Sequence, residues 1–201
     1  PGIVPVHDHR GRFLGQALSS PASEIRLRLL TRSTDPIDGG WWTAAIAAAA
    51  SRRAGIDAHE WRAVHAERDG LPALVVDRYD RWLVVQLLSE ALEPHRDAIM
   101  AALRSVHRPA GILFRHDVPA RRLERLDQRI EVGWGEVPEQ VEVQEAGVRW
   151  LAAPRTGQKT GAFLDQRDNR RAAGPRVPAG GPARAACSYH GSVAGAPAGS
   201  E

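Results

Sequence analysis

The chain has 201 residues, 43% of them hydrophobic and 25% charged, which fits a globular protein of one ordinary domain or two small ones. No apolar run approaches the roughly 18 residues of a membrane-crossing helix, and Pro1 to Asp8 lacks the charged and apolar regions of a secretory leader. The single cysteine, Cys187, excludes a disulfide framework and an all-cysteine zinc site and points to the cytoplasm, while the absence of Met at position 1 reads as the interior of a longer protein.

Net charge is only +3, yet 26 of the 27 cationic side chains are Arg, with Lys159 the sole Lys; beside 32 alanines this is the mark of GC-rich coding. The charges are unevenly spread. Residues 104–129 carry seven arginines against three acids, 131–145 five acids and no base, and 149–176 seven bases against two acids. Two basic blocks flank an acidic one, a pattern open to two readings, solvated surface arginine or a polyanion footprint.

In chain order, Ile3 to His7 and Phe13 to Leu18 read as strands around a polar Asp8-His9-Arg10-Gly11 turn. Glu24 to Thr31 alternates, with Ile25, Leu27 and Leu29 on the face expected to be buried and Arg26 and Arg28 on the other. After the linker and cap residues 35–40, alanine-dense Trp41 to Ala54 predicts a helix stopped at Gly55. Val64 to Gly70 is turn-like. Ala73 to Asp77 and Trp82 to Leu88 form a hairpin across Arg78-Tyr79-Asp80. Glu93-Pro94 opens a helix with Ile99, Leu103 and Val106 on one face, Pro109 ends it, and Gly111 to Phe114 is a short strand. Val141 to Gln144 pairs with Val148 to Ala152, and a helix starts near Gly161 and continues through Asn169. The expected class is α+β with interspersed hairpins rather than a regular parallel strand–helix alternation. From 172 to 201, nineteen of thirty residues are Ala, Gly or Pro, too little apolar surface to offset chain entropy, so a disordered tail is expected.

The most informative segment is Gly157-Gln158-Lys159-Thr160-Gly161-Ala162-Phe163-Leu164-Asp165-Gln166-Arg167. Two glycines around a cation and a hydroxyl before a helix offer backbone amides and an ammonium to a carboxylate or phosphate, with Phe163 a face for a ring; a plain loop capped by Thr160 fits the same residues. Scattered histidines without metal-ligand spacing, and no P-loop or Gly-x-Ser-x-Gly elbow, give neither a metal site nor a serine nucleophile. Asp69 and Asp77 read as turn caps, and Trp41, Trp42 and Trp61 as core.

At 157–167 the sequence resembles the bacterial class I S-adenosylmethionine-dependent methyltransferases that modify cytosine C5 of large-subunit ribosomal RNA. His65 to Tyr79, with Glu67-Arg68-Asp69-Gly70-Leu71-Pro72, is similar to another stretch of that family. Arg115-His116-Asp117, Arg121-Arg122-Leu123-Glu124 and Gly135-Glu136-Val137-Pro138-Glu139 follow in the family's order. The resemblance covers about 170 residues. It implies the end of a PUA-like RNA-binding β-barrel at 1–32, an α+β central domain at 35–155 and the entry into a Rossmann-like methyltransferase domain at 157–171.

By resemblance, Lys159, Thr160, Phe163, Asp165, Gln166 and Arg167 lie beside S-adenosylmethionine, Arg115, Arg121 and Arg122 contact RNA, and ribosomal RNA is the partner. The family's cofactor loop is matched only by Ser188-Tyr189-His190-Gly191-Ser192, and the match then ends. The two cysteines that perform the family's chemistry, one adding to cytosine C6 and one helping release, are not matched, and Cys187 falls beside the cofactor loop. No residue is therefore assigned a catalytic role. A truncated or frameshifted methyltransferase is expected, with a non-enzymatic RNA-binding remnant and an inert product as alternatives.

Overall fold

The computed structural model describes residues 1–56, 58–145 and 148–166, with the backbone alone at 145, 148 and 165. Strands β1 (Gly2–His7), β2 (Phe13–Ser19) and β3 (Leu27–Thr31) form an antiparallel sheet in chain order. The Asp8 carboxylate closes the first turn by accepting from the amides of Arg10 and Arg12, both at 2.9 Å.

The third strand faces the opposite way from expectation. Leu27 and Leu29 stand 49% and 44% exposed beside exposed Ile25, whereas Leu30 is buried. Arg28 turns inward to Glu67 at 3.2 Å and Glu124 at 3.9 Å. Alternation defines two faces but not which one is inside; here the buried carboxylate of Glu124 decides it. That carboxylate lies in a polar seam, where Ser20 Oγ is 2.7 Å from Ser89 Oγ and the Ser89 hydroxyl and Glu90 amide both donate to Glu124.

Helix α1 (Gly39–Ser51) starts at Asp38, whose side chain accepts from the Trp41 amide at 2.9 Å, and it buries Trp42, Ile46 and Ala49. It ends three residues before the predicted Ala54, where the Arg53 guanidinium folds back onto the carbonyls of Ala49 and Arg62 and pairs with Asp69.

Strands β4 (Glu60–His65), β5 (Leu74–Tyr79), β6 (Trp82–Leu87), β7 (Gly111–Arg115) and β8 (Ile130–Gly135) make a five-stranded sheet in chain order. All neighbours are antiparallel except β6 and β7. A 3-10 turn at Glu90–His95 and helix α2 (Arg96–His107), near the helix expected from Glu93-Pro94, form the crossover between those two, so the sheet contains one parallel βαβ unit among its hairpins. Helices α1 and α2 cover one face, burying Trp42, Ile46, Ile99 and Leu103 with Val76, Leu83, Val85 and Phe114.

A short helix α3 (Ala120–Leu123) precedes β8. The hairpin of β9 (Val141–Glu145) and β10 (Val148–Ala152) buries Val141, Val143 and Ala152 with Tyr79 and Val84. The helix predicted from Gly161 is, within the described residues, a 3-10 turn at Leu164–Gln166. The expected tail, the Ser188–Ser192 stretch, Cys187 and Arg167 lie outside the described residues. Among the described residues no helix is long and apolar enough to cross a membrane.

Two histidines are enclosed by this fold. Burial, aided by the charges of Arg78 and Arg53, pushes the His107 imidazole down to about 4. Burial, then Arg121, Arg129 and Arg96, pushes His116 down to about 3. Both are neutral in the folded chain but titrate near ~6.5 when unfolded. As pH drops below that value the unfolded state takes up protons first, so stability is full above it and declines toward the folded-state values. The unfolding free energy from urea denaturation, and with it the midpoint, should therefore fall between about pH 7 and about pH 5, the free energy by up to about 1.4 kcal/mol per pH unit for each imidazole. A midpoint unchanged across that range would show that the histidines are not held neutral.

Candidate functional site

The segment after β10 is a compact loop because its backbone bonds to itself. The Gly157 amide donates to Ala153 O at 2.7 Å, the Gly161 amide to Gln158 O at 3.0 Å, and the Ala153 amide to Gly161 O at 3.4 Å. A Cβ on Gly157 would stand 2.5 Å from Gly161 O, and Gly161 holds φ +134°, so both glycines answer real crowding or torsion.

Two buried side chains hold this loop from below. Arg115, at the end of β7, donates to Pro154 O at 2.6 Å and Gly157 O at 3.0 Å while forking onto Asp117 at 2.7 and 2.9 Å. Thr160, 1% exposed, donates its hydroxyl proton to Asp77 and stands 3.2 Å from the Tyr79 hydroxyl. Asp77 is fully buried and is forked by Arg62 at 2.8 and 3.0 Å. Burial, followed by the Asp77 charge, pushes the Tyr79 phenol up, so it stays protonated and donates to Thr160. The proton order is thus Tyr79 to Thr160 to Asp77, with Arg62 balancing the charge.

This arrangement separates the predicted cofactor residues. Thr160 points inward as an anchor. Lys159 is exposed, with φ +56° and its ammonium 4.4 Å from the centroid of the Phe163 ring, a cation–π contact that orients the one lysine at the loop surface. Gln166 is exposed at the end of the 3-10 turn, and only the backbone of Asp165 is described. Lys159 and Phe163 are therefore brought together, with Thr160 beneath them.

Two of the three expected RNA contacts are buried. Arg121 is fully buried, donating to Leu87 O at 2.5 Å and Asp127 O at 2.9 Å and pairing with Glu93 at 2.9 Å. Arg115 is likewise committed to the loop and Asp117, so neither guanidinium is presented to a phosphate. Arg122 is exposed and donates to Gln128 at 2.7 Å.

Asp77 was misread as a turn cap, although it lies within β5, and Arg62, Tyr79 and Glu124 were missed. A signal existed for Asp77: a carboxylate ending the apolar run Leu74-Val75-Val76 needs an internal partner. Among the described residues no group of three or more His, Cys, Asp or Glu could hold a metal.

A family model described as PUA-like domain matches residues 1–32. The fold is shared with part of two solved structures described as methyltransferases. A Streptococcus mutans structure described as a SAM-dependent methyltransferase superposes with TM-score 0.70 at 22% identity, covering 85% of this chain and 44% of that one. A second structure, described as a methyltransferase complexed with SAH, gives 0.69 at 22% identity, covering 84% of this chain and 43% of that one.

Curated relatives are named ribosomal RNA large subunit methyltransferase I. That of Pseudoalteromonas atlantica is 38% identical over 172 residues, 83% of this chain and 44% of the relative. That of Aeromonas hydrophila is 38% identical over 177 residues, 85% and 45%. The chain spans less than half the length of these relatives.

If Thr160 is the anchor, Thr160→Val should lower unfolding stability by about 1–3 kcal/mol by leaving Asp77 short of a donor, with Thr160→Ser retaining most of it. Exposed Lys159→Gln should stay within about 0.5 kcal/mol. Urea unfolding of the three variants checks the order, and a wild-type midpoint for Thr160→Val would show that the loop is held otherwise.

Proposed function

We propose that this chain is the RNA-holding part of a methyltransferase that uses S-adenosylmethionine to methylate cytosine C5 of large-subunit ribosomal RNA, with residues 157–166 forming one wall of the cofactor site. The observation that carries this reading is the 38% identity over 172 residues to ribosomal RNA large subunit methyltransferase I. The local chemistry agrees: an ammonium held on Phe163 beside a glycine-flanked backbone suits the carboxylate of the cofactor's methionine moiety, and Phe163 adds an apolar ring. Thr160 contributes from beneath by fixing the loop that carries Lys159.

The transfer step is assigned elsewhere. Methylation at C5 by this route needs one thiolate to add at C6 and a second cysteine to assist release, whereas the sequence holds one cysteine, Cys187. The 201-residue polypeptide is therefore an RNA binder without transfer activity. The exposed arginines supply the attraction, since each phosphate neutralised releases counterions.

Filter binding to a structured fragment of large-subunit ribosomal RNA, from about 50 to about 300 mM salt, should give a negative slope of log affinity against log salt. Tritiated methyl transfer from S-adenosylmethionine should remain at background in the same samples. Absent or salt-insensitive binding would refute the RNA reading, and methyl incorporation would refute the absence of transfer chemistry.

A further inference from the structure

A groove of about 540 Å³ lies where the C-terminal end of α2 meets β8, lined by Ala101, Arg104, Ser105, Arg108, Pro109 and Trp134. Arg104 and Arg108 are exposed and, among the described residues, in no ion pair. Arg81, exposed and equally without a carboxylate partner among the described residues, stands on the adjoining β5–β6 turn, where its carbonyl accepts from the Ala110 amide at 2.7 Å, one residue beyond Pro109.

The Arg104 guanidinium carbon lies 4.5 Å from the centroid of the Trp134 ring. Arg108 closes α2 in the left-handed conformation, φ +46° and ψ +53°, a position that favours Gly or Asn but here carries a cation at the groove's edge. The neighbouring Arg78 is used internally, donating to the carbonyls of Asp80 and His107. Attraction to the helix dipole explains a cation in the last turn. It requires neither an indole beneath a guanidinium nor a third arginine from the β5–β6 turn.

Two groove arginines with no carboxylate partner among the described residues, one of them over an indole, and Arg81 on the adjoining turn match a polyanion that also carries planar rings. We propose that this groove seats a single-stranded segment of RNA. One base stacks on the outer plane of the Arg104 guanidinium, supported by Trp134, and the flanking phosphates meet Arg108 and Arg81. An acidic peptide would use the cations but leave the stacked pair idle, and duplex RNA would keep its bases out of reach. The inference rests on the RNA-holding reading above and assigns it a site outside the 153–163 loop.

The test uses the full chain and a fluorescein-labelled single-stranded RNA of about 12 nucleotides, followed by anisotropy across a salt series. Arg104→Ala/Arg108→Ala should weaken binding at least about tenfold and make the log–log salt slope shallower by about 0.7, the one phosphate contact that Arg108 makes. Arg104→Lys/Arg108→Lys should keep the slope yet bind about threefold or more weakly, because charge survives and the stacking plane does not. Circular dichroism melts confirm that both variants fold.

Wild-type binding together with an unchanged affinity and slope in the alanine variant would overturn the groove while leaving the RNA reading standing. No salt-dependent binding by the wild type would overturn both. Equal competition by the matching duplex would overturn the single-strand assignment, and equal competition by polyglutamate would assign the groove to an acidic protein.

Discussion

A carboxylate buried on a sheet interior is costly unless it is paired and hydrogen-bonded, and the Asp77 side chain meets that demand from two directions. Arg62 reaches it from β4, where Arg62 and Asp77 are direct partners in the strand register. Thr160 reaches it from a loop 83 residues further along the chain. Strand register and loop placement are thereby made mutually dependent. A slip of β4 by one residue would carry Arg62 to the other face of the sheet, and a displaced loop would leave the carboxylate short of a donor. The order of residues 153–163 is thus a property of the sheet beneath as much as of the glycines within it.

The abundance of arginine acquires two distinct uses in this setting. Inside, Arg53, Arg62, Arg115 and Arg121 reach carbonyls and carboxylates with planar, multi-donor groups that a lysine could not replace geometrically. Outside, Arg81, Arg104, Arg108 and Arg122 remain exposed. Coding bias accounts for choosing arginine over lysine but not for this sorting, which follows from where acidic partners fall. The single lysine sits on Phe163, where a compact ammonium suffices.

Elements with strong local patterning were legible in the sequence. The β1–β2 turn, the alanine-rich α1 with its Asp38 cap, the β5–β6 hairpin, the apolar face of α2 and the β9–β10 pair were read within a few residues of their limits. Strand β4 escaped because Arg62 and His65 interrupt its apolar residues, and β8 because its glycines and acids resemble a loop; each is specified by its neighbour in the sheet. The facing of β3 and the parallel pairing of β7 were hidden for the same reason. At the site, the glycine-flanked loop was visible, whereas the inward turn of Thr160, Arg115 and Arg121 depends on distant partners that local spacing cannot report.

The seam of Ser20, Ser89, Glu124 and Arg28 also bears on how the molecule would engage a long ligand. Sealing a charge between the three-stranded sheet and the five-stranded one makes any hinge there costly, because opening it would part Arg28 from Glu124 and Ser20 from Ser89. The gap between the small sheet and the surfaces of the larger one is therefore set by side-chain packing, not by the connector at residues 32–38. A strand of nucleic acid touching both would be measured against a fixed gauge, and its bend or length would be selected before any base was read.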